Sequence, residues 1–472
     1  MKRIRRILLC ILMITVLCGI SVVGNFVVKS ENKSKEKKRT AITKKEMKEW
    51  DAPDEEILEY YDLGEFSTTL PVVYMNTMEQ QVLKENAIWG NIALLDGNGE
   101  EQSVFSVPNS IYRATIKYRG ASSYSKFDKK QYRIKFYKNK KDSVKKVSLA
   151  GMGANSEWVL NGPYLDKTLI RNKLVYDLAR ELNGWAPDTR FVELFVDGEY
   201  QGVYLAVEPV TNGESRLRLS EFSLLSGETA YIVSRDRSDT ESEELKTWGK
   251  TAGYTNNSLY IGYPSKNKIT EKQKAYIQKD ISEFEQVLYG KNFSDKRIGY
   301  QAYIDIDNWV DYFIINEFAM NYDAGNLSTY LYKELGGKLQ LAVWDFNNGF
   351  DNYQWFRTET DVLHTVENSW FKRLWQDETF REHVCERYRQ LRKTTLVDEH
   401  IAEKIASYQE ELGDAVDRNF KVWGYSFDEA LLAGTSKDGT SRDIRSYEEA
   451  MKQLTDTIRE RRAYLDKELG GN

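Results

Sequence analysis

Partway along this chain the hydrophobic period changes, and that change restricts the folds open to it. In "KKQYRIKFYKNKK", Tyr132, Ile134 and Phe136 alternate with Arg133 and Lys135. A period of two puts the apolar set on one face, as in a half-buried strand. Earlier, "TTLPVVYMN", "NIALLDGNG" and "YRATIKYRG" are short strand-like runs separated by turn residues. In "LDKTLIRNKLVYDLAREL" the spacing lengthens: Leu169, Ile170, Leu174, Leu178 and Leu182 fall mostly three or four apart. That predicts an amphipathic helix, with Asp166 or Thr168 at its start and Gly184 at its stop. "RFVELFVDGEYQGVYLAVEPV" predicts a hairpin turning at Asp197-Gly198. A polar stretch through "SRDRSDTESEELKTWGK" follows, then helices around residues 272–288 and 308–317, and after Glu367 a mostly helical tail. Strands first and helices later predict an α+β fold.

Charge and residue supply exclude several chemistries. There are 72 acids against 67 bases, a net charge of −5, so the basic surplus of a nucleic-acid binder is missing. Cys10 and Cys18 lie in an early apolar run, which leaves Cys385 alone in the body and no disulfide to staple it. His364, His383 and His400 are the only histidines and lack the spacing of a zinc protease. Carboxylates and lysines are left as the expected chemical agents. "WGKTA" and "GMGANS" each lack a glycine that a phosphate-binding fingerprint requires, the places being taken by Glu244 and Ser156.

The N-terminus reads as a membrane element. Lys2, Arg3, Arg5 and Arg6 precede an apolar run over residues 7–28. At about 1.5 Å per residue such a run is long enough to cross a hydrocarbon core. It predicts an uncleaved signal anchor, a cleaved signal peptide being the alternative, with the body on the extracytoplasmic side. The expected division is residues 1–28 as anchor, 29–65 as polar stalk, 66–215 as a strand-rich N-lobe, and 216–472 as a helix-rich C-lobe.

The segment "NYDAGNLSTYLYKELGGKLQLAVWDFNNGF" carries the chemistry. Asp323 stands ahead of one strand-like run and Asp345 after another, which suits an acid-base group and a metal ligand; both also suit turns. Upstream, "RGASSYSKFDKKQYRIKF" gives a small-residue turn at 120–123, then Lys129 and Lys130 at a strand edge. Such a turn can approach phosphates, and an ammonium can neutralise them. A phosphate turn, a lysine strand, a helix, a hairpin, more helices, an Asp loop and a second Asp follow the order of parts in a protein kinase. The His-Arg-Asp loop and the glycine-rich loop are absent, which excludes an ordinary kinase.

Five ordered blocks resemble the CotH family, spore-coat kinases with an atypical kinase-like fold. They are "YRGASSYSKFDKKQYRIKFY", "LIRNKLVYDLARELN", "VDGEYQGVYLAVEPV", "NYDAGNLSTYLY" and "LAVWDFNNGF". The resemblance covers roughly residues 70–400. It implies an atypical protein-kinase-like two-lobe fold in addition to the N-terminal transmembrane helix. It also implies transfer of the γ-phosphoryl of ATP, with Mg²⁺ or Mn²⁺, to Ser or Thr of a coat or surface protein. Asp323 looks like the catalytic Asp and Asp345 like the metal Asp. Arg119, Ser123, one of Lys129 and Lys130, and Glu208 look like the nucleotide contacts, with Asp177 or Glu181 as partner to the lysine. Two departures weaken the expected metal site. Asn347 stands where many family members carry an acid, and Ser328 where an Asn can hold a second Mg²⁺; both oxygens can ligate, without the negative charge. The alternatives are a catalytically weak scaffold or adhesion protein, and a polysaccharide-binding surface protein.

Overall fold

The computed structural model describes residues 50–138, 143–237 and 242–471. Residues 49–472 form one compact unit. Its first part is a closed seven-stranded barrel: β1 (Val72–Asn76), β2 (Ile88–Leu95), β3 (Ser110–Arg119), β4 (Gln131–Phe136), β5 (Glu157–Asn161), β6 (Thr189–Val196) and β7 (Glu199–Val207). The order around the barrel is β1-β2-β3-β4-β5-β7-β6. Neighbours are antiparallel except at the closure, where β6 runs parallel to β1. The alternation of β4 has its expected use: Tyr132, Ile134 and Phe136 join Val73, Ile92, Ile116, Trp158 and Leu194 in one buried cluster. Asp197 and Gly198 connect β6 to β7 with φ of 50° and 85°. Two successive positive φ values suit the right-handed twist of a hairpin, and Asp-Gly tolerates them.

The second part combines a sheet with helices. β8 (Tyr231–Asp236), β9 (Glu243–Leu245), β10 (Ser258–Tyr263), β11 (Thr329–Lys333) and β12 (Gln340–Ala342) form an antiparallel sheet in the order β9-β10-β8-β11-β12. The main helices are α1 (Arg171–Ala179), α2 (Glu271–Leu288), α3 (Ile306–Phe318), α4 (Ser369–Leu374), α5 (Glu378–Leu391), α6 (Asp398–Leu412), α7 (Ala415–Trp423) and α8 (Tyr447–Glu468). A capping box at Thr270 and Gln273 starts α2. The start predicted for α1 is displaced: the helix begins at Arg171, and Asp166 accepts the Arg171 N–H at 2.9 Å from outside the helix. α3, at the centre of the larger core, buries eleven of its thirteen residues. It leads directly into the loop that carries Asp323.

Two expectations are corrected. Among the described residues no helix is long and apolar enough to cross a membrane, so the α+β fold is described without the expected transmembrane helix. The run over residues 7–28 that carried this expectation lies outside the described residues. The membrane-anchored, extracytoplasmic placement is corrected on the same finding. A five-stranded sheet runs through the segment after residue 216, among its helices.

Candidate active site

A cleft with a cavity volume of ≈ 150 Å³, partly open to solvent, lies where the end of β3, the end of β8 and the loops beside β11 and β12 meet. It is lined by Arg119, Ser123, Asp323, Ser328, Asp345 and Asn347, all singled out from the sequence. It is also lined by Asp236 and Arg237, which were not.

The turn at 120–123 is built for close approach. Gly120 has φ of +93°, and a Cβ there would stand 2.0 Å from Ser123 Oγ. Only glycine avoids both the backbone strain and the clash. Asp345 and Ser328 also hold positive φ, 65° and 47°. For residues with side chains such angles cost roughly 1–3 kcal/mol, and they persist where the surroundings dictate them. At Asp345 the dictating groups are on α1. The buried Tyr176 hydroxyl accepts the Asp345 N–H at 3.0 Å. Arg171 Nε donates to the Gly349 carbonyl at 3.2 Å.

A directed chain of amides then aims Asp345. The Phe346 N–H donates to Asn172 Oδ1 at 2.7 Å. Asn172 Nδ2 donates to Asn347 Oδ1, and Asn347 Nδ2 donates to Asp345 Oδ1, each at 2.6 Å. A backbone N–H can only donate, so its position fixes the sense of every amide downstream. Asn347 therefore turns its oxygen to Asn172 and its N–H to the carboxylate. It orients Asp345 and does not offer the cleft the oxygen expected of a ligand.

Four aspartates line the cleft with two guanidinium groups; Asp166 is paired with Arg171, and Asp236, Asp323 and Asp345 have no such ion pair among the described residues. Burial, and then the charge of Asp345, push the Asp323 carboxyl up to about 6, while Arg237 pulls it back. Burial raises Asp345, opposed by Arg119 and by the Asn347 hydrogen bonds. Burial raises Asp236 too, and Asp345 adds to the rise. Shielded like charges of this kind are what a bound cation relieves. Among the described residues no group of three or more His, Cys, Asp or Glu is arranged to hold a metal by itself. Magnesium usually takes only one or two carboxylates and completes its shell with phosphates and water, so the donor chemistry of Asp323 and Asp345 fits it.

Three sequence-derived contacts are not in the cleft and are corrected. Lys129 is only 1% exposed. Its ammonium donates to the Val203 carbonyl at 2.7 Å and to Asn419 Oδ1 at 2.6 Å, and burial holds its pKa well below the lysine range. Lys130 donates to the carbonyls of Tyr124 and Phe127, at 2.8 and 2.6 Å, closing its own loop. Glu208 is buried against Arg216 and accepts the Asp188 N–H, so it braces the segment after β7. Asp177 pairs with Lys173 and Glu181 with Lys404, not with Lys129 or Lys130. Asn326 donates to Asn368 Oδ1 at 2.5 Å and does not line the cleft. Asp236 ends β8 and Arg237 follows it, inside a stretch that reads as polar. The apolar "YIV" ahead of them was the available signal.

Comparison with known proteins agrees with this layout. The chain is 30% identical over 234 residues to the inner spore coat protein H of Bacillus subtilis (strain 168). The match takes in 49% of this chain and 57% of that protein, so it spans somewhat more than half the relative's length. The family model described as CotH kinase protein matches residues 116–465, from within β3 to near the end of α8. That stretch contains every residue of the cleft, and the chain belongs to the CotH family.

Proposed function

We propose that the cleft binds ATP with a divalent cation and transfers its γ-phosphoryl to a Ser or Thr hydroxyl of a protein, in line with the coat-protein relative. The observation that carries this reading is the meeting of Asp323 and Asp345, twenty-two positions apart, with Arg119 and the turn at 120–123 in one cleft. Asp323 and Asp345 would hold Mg²⁺ or Mn²⁺, which supplies charge neutralisation at the phosphates. In its ionised form Asp323 orients the acceptor hydroxyl and takes its proton. Arg119 faces Asp345 from the end of β3, stacked on Trp344 with 5.4 Å to the ring centre, and adds fixed positive charge. The amide chain through Asn172 and Asn347 keeps Asp345 aimed without help from the substrate.

The full chain with millimolar MgATP is expected to melt at a higher temperature and to label a Ser-rich protein from radiolabelled ATP. Asp345→Asn is expected to lose most of both effects, because the cation loses its best-placed charged oxygen. A second reading, a non-catalytic scaffold on the same fold, is favoured by the turning-away of the Asn347 oxygen. A melting temperature unmoved by MgATP and MnATP would favour that reading over phosphotransfer.

A further inference from the structure

Arginines buried for structure in this protein come with a carboxylate. Arg171 pairs with Asp166 at 2.5 Å, Arg461 with Glu317 at 2.6 Å, Arg235 with Glu285 at 3.7 Å, and Arg216 with Glu208. Arg119 is half-buried and Arg237 exposed at the cleft, and among the described residues neither takes such a partner although four aspartates line it. Arg119 donates to Gln131 Oε1 at 2.9 Å, and Arg237 donates to Ser122 Oγ at 3.3 Å. Among the described residues neither forms an ion pair with a carboxylate. Most of their donors are left for something that enters the cleft. The lysines that precede β4 cannot supply this charge, since both ammonium groups are taken up by carbonyls and an amide.

We propose that Arg237, acting with Arg119, binds the phosphate chain of the nucleotide, so that two arginines take the part a lysine plays in other kinases. This rests on the nucleotide reading of the cleft. Guanidinium suits the task, because its planar fork matches two phosphate oxygens at once and it stays charged beside buried groups. Position supports it as well. Arg237 follows directly on Asp236, and its side chain reaches the phosphate turn at Ser122.

The test is MgATP and inorganic tripolyphosphate binding by calorimetry on the full chain, with Arg237→Ala and Arg237→Lys. Arg237→Ala is expected to weaken both ligands by about 10- to 100-fold. Arg237→Lys should recover part of the loss. Since Arg237 is exposed, the melting temperature of the free protein should stay at the wild-type value. KM for ATP should rise in step with the lost affinity in Arg237→Ala while the fold stays intact, a split that a merely structural residue would not produce. Wild-type affinity for both ligands in Arg237→Ala overturns this proposal and leaves the nucleotide reading standing. Failure of the wild-type chain to bind MgATP overturns both.

Discussion

Replacing Asp323 by Asn is expected to abolish phosphotransfer and, at the same time, to stabilise the protein. Loss of a positioned base lowers rates by roughly 10²–10⁴-fold. The gain in stability comes from the same electrostatics. Burial and the charge of Asp345 raise the carboxyl from its ordinary 3.8 to about 6. A raised carboxyl is harder to ionise in the folded state than in the unfolded one, so its charge is a cost wherever the folded group is ionised. That cost is fully present above about pH 6, shrinks as pH falls through the interval, and is gone below the unfolded value. Two pKa units correspond to about 3 kcal/mol. Urea melts at pH 7.5 should show Asp323→Asn more stable than wild type by an amount of that order, and melts below pH 4 should show no difference. Destabilisation at pH 7.5 would mean that the carboxylate is held by favourable partners and is not a strained catalytic group. In the wild-type protein the kcat/KM profile should fall on the acid side with a midpoint near 6.

Arg461→Ala is expected to cause the largest loss of stability, and to disable the cleft from a distance. Arg461 is fully buried on α8. It pairs with Glu317 at 2.6 Å and donates to the carbonyls of Glu317, Thr360 and Val362 at 2.8, 3.0 and 2.6 Å. Glu317 in turn accepts the His364 and Thr365 N–H groups at 3.0 and 2.6 Å. His364 is itself pushed down to about 4 by burial, so it is neutral at pH 7 and cannot replace the lost cation. Truncating Arg461 leaves a carboxylate buried without its counter-charge, together with carbonyls that have no donor. Breaking a buried pair from one side costs about 3–5 kcal/mol. Glu317 lies in the last turn of α3, a few residues before Asp323, so the loop that presents Asp323 loses its anchor as well. Denaturation should show a drop of that order together with weaker MgATP binding. A drop below about 1 kcal/mol would contradict the anchoring role.

The parts legible in the sequence are those whose signal is local. The alternation in β4, the Asp-Gly turn of the β6–β7 hairpin and the helices α2 and α3 each follow from neighbouring residues. So do Asp323 and Asp345, which stand at the ends of recognisable runs. What failed is what distant residues decide. Lys129 looks like a strand-edge ammonium until Asn419, far along the chain, accepts its hydrogen bond beside Trp423. Asn347 looks like a ligand until Asn172 claims its oxygen. β8 is short and lies in a polar surround, yet it is central in its sheet, because β10 and β11 cover its edges. Asp236 and Arg237 were hidden with it.

The central claim is that nucleotide and cation occupy the cleft between the turn at 120–123 and the aspartates at 323 and 345. The most direct measurement is a crystal structure of the protein with Mn²⁺ and a non-hydrolysable ATP analogue, using the anomalous signal of manganese to locate the metal. A manganese peak against the carboxylates of Asp345 and Asp323, with phosphates reaching Arg119 and Arg237, is the predicted result. A nucleotide bound elsewhere, or manganese bound away from both aspartates, would contradict the account.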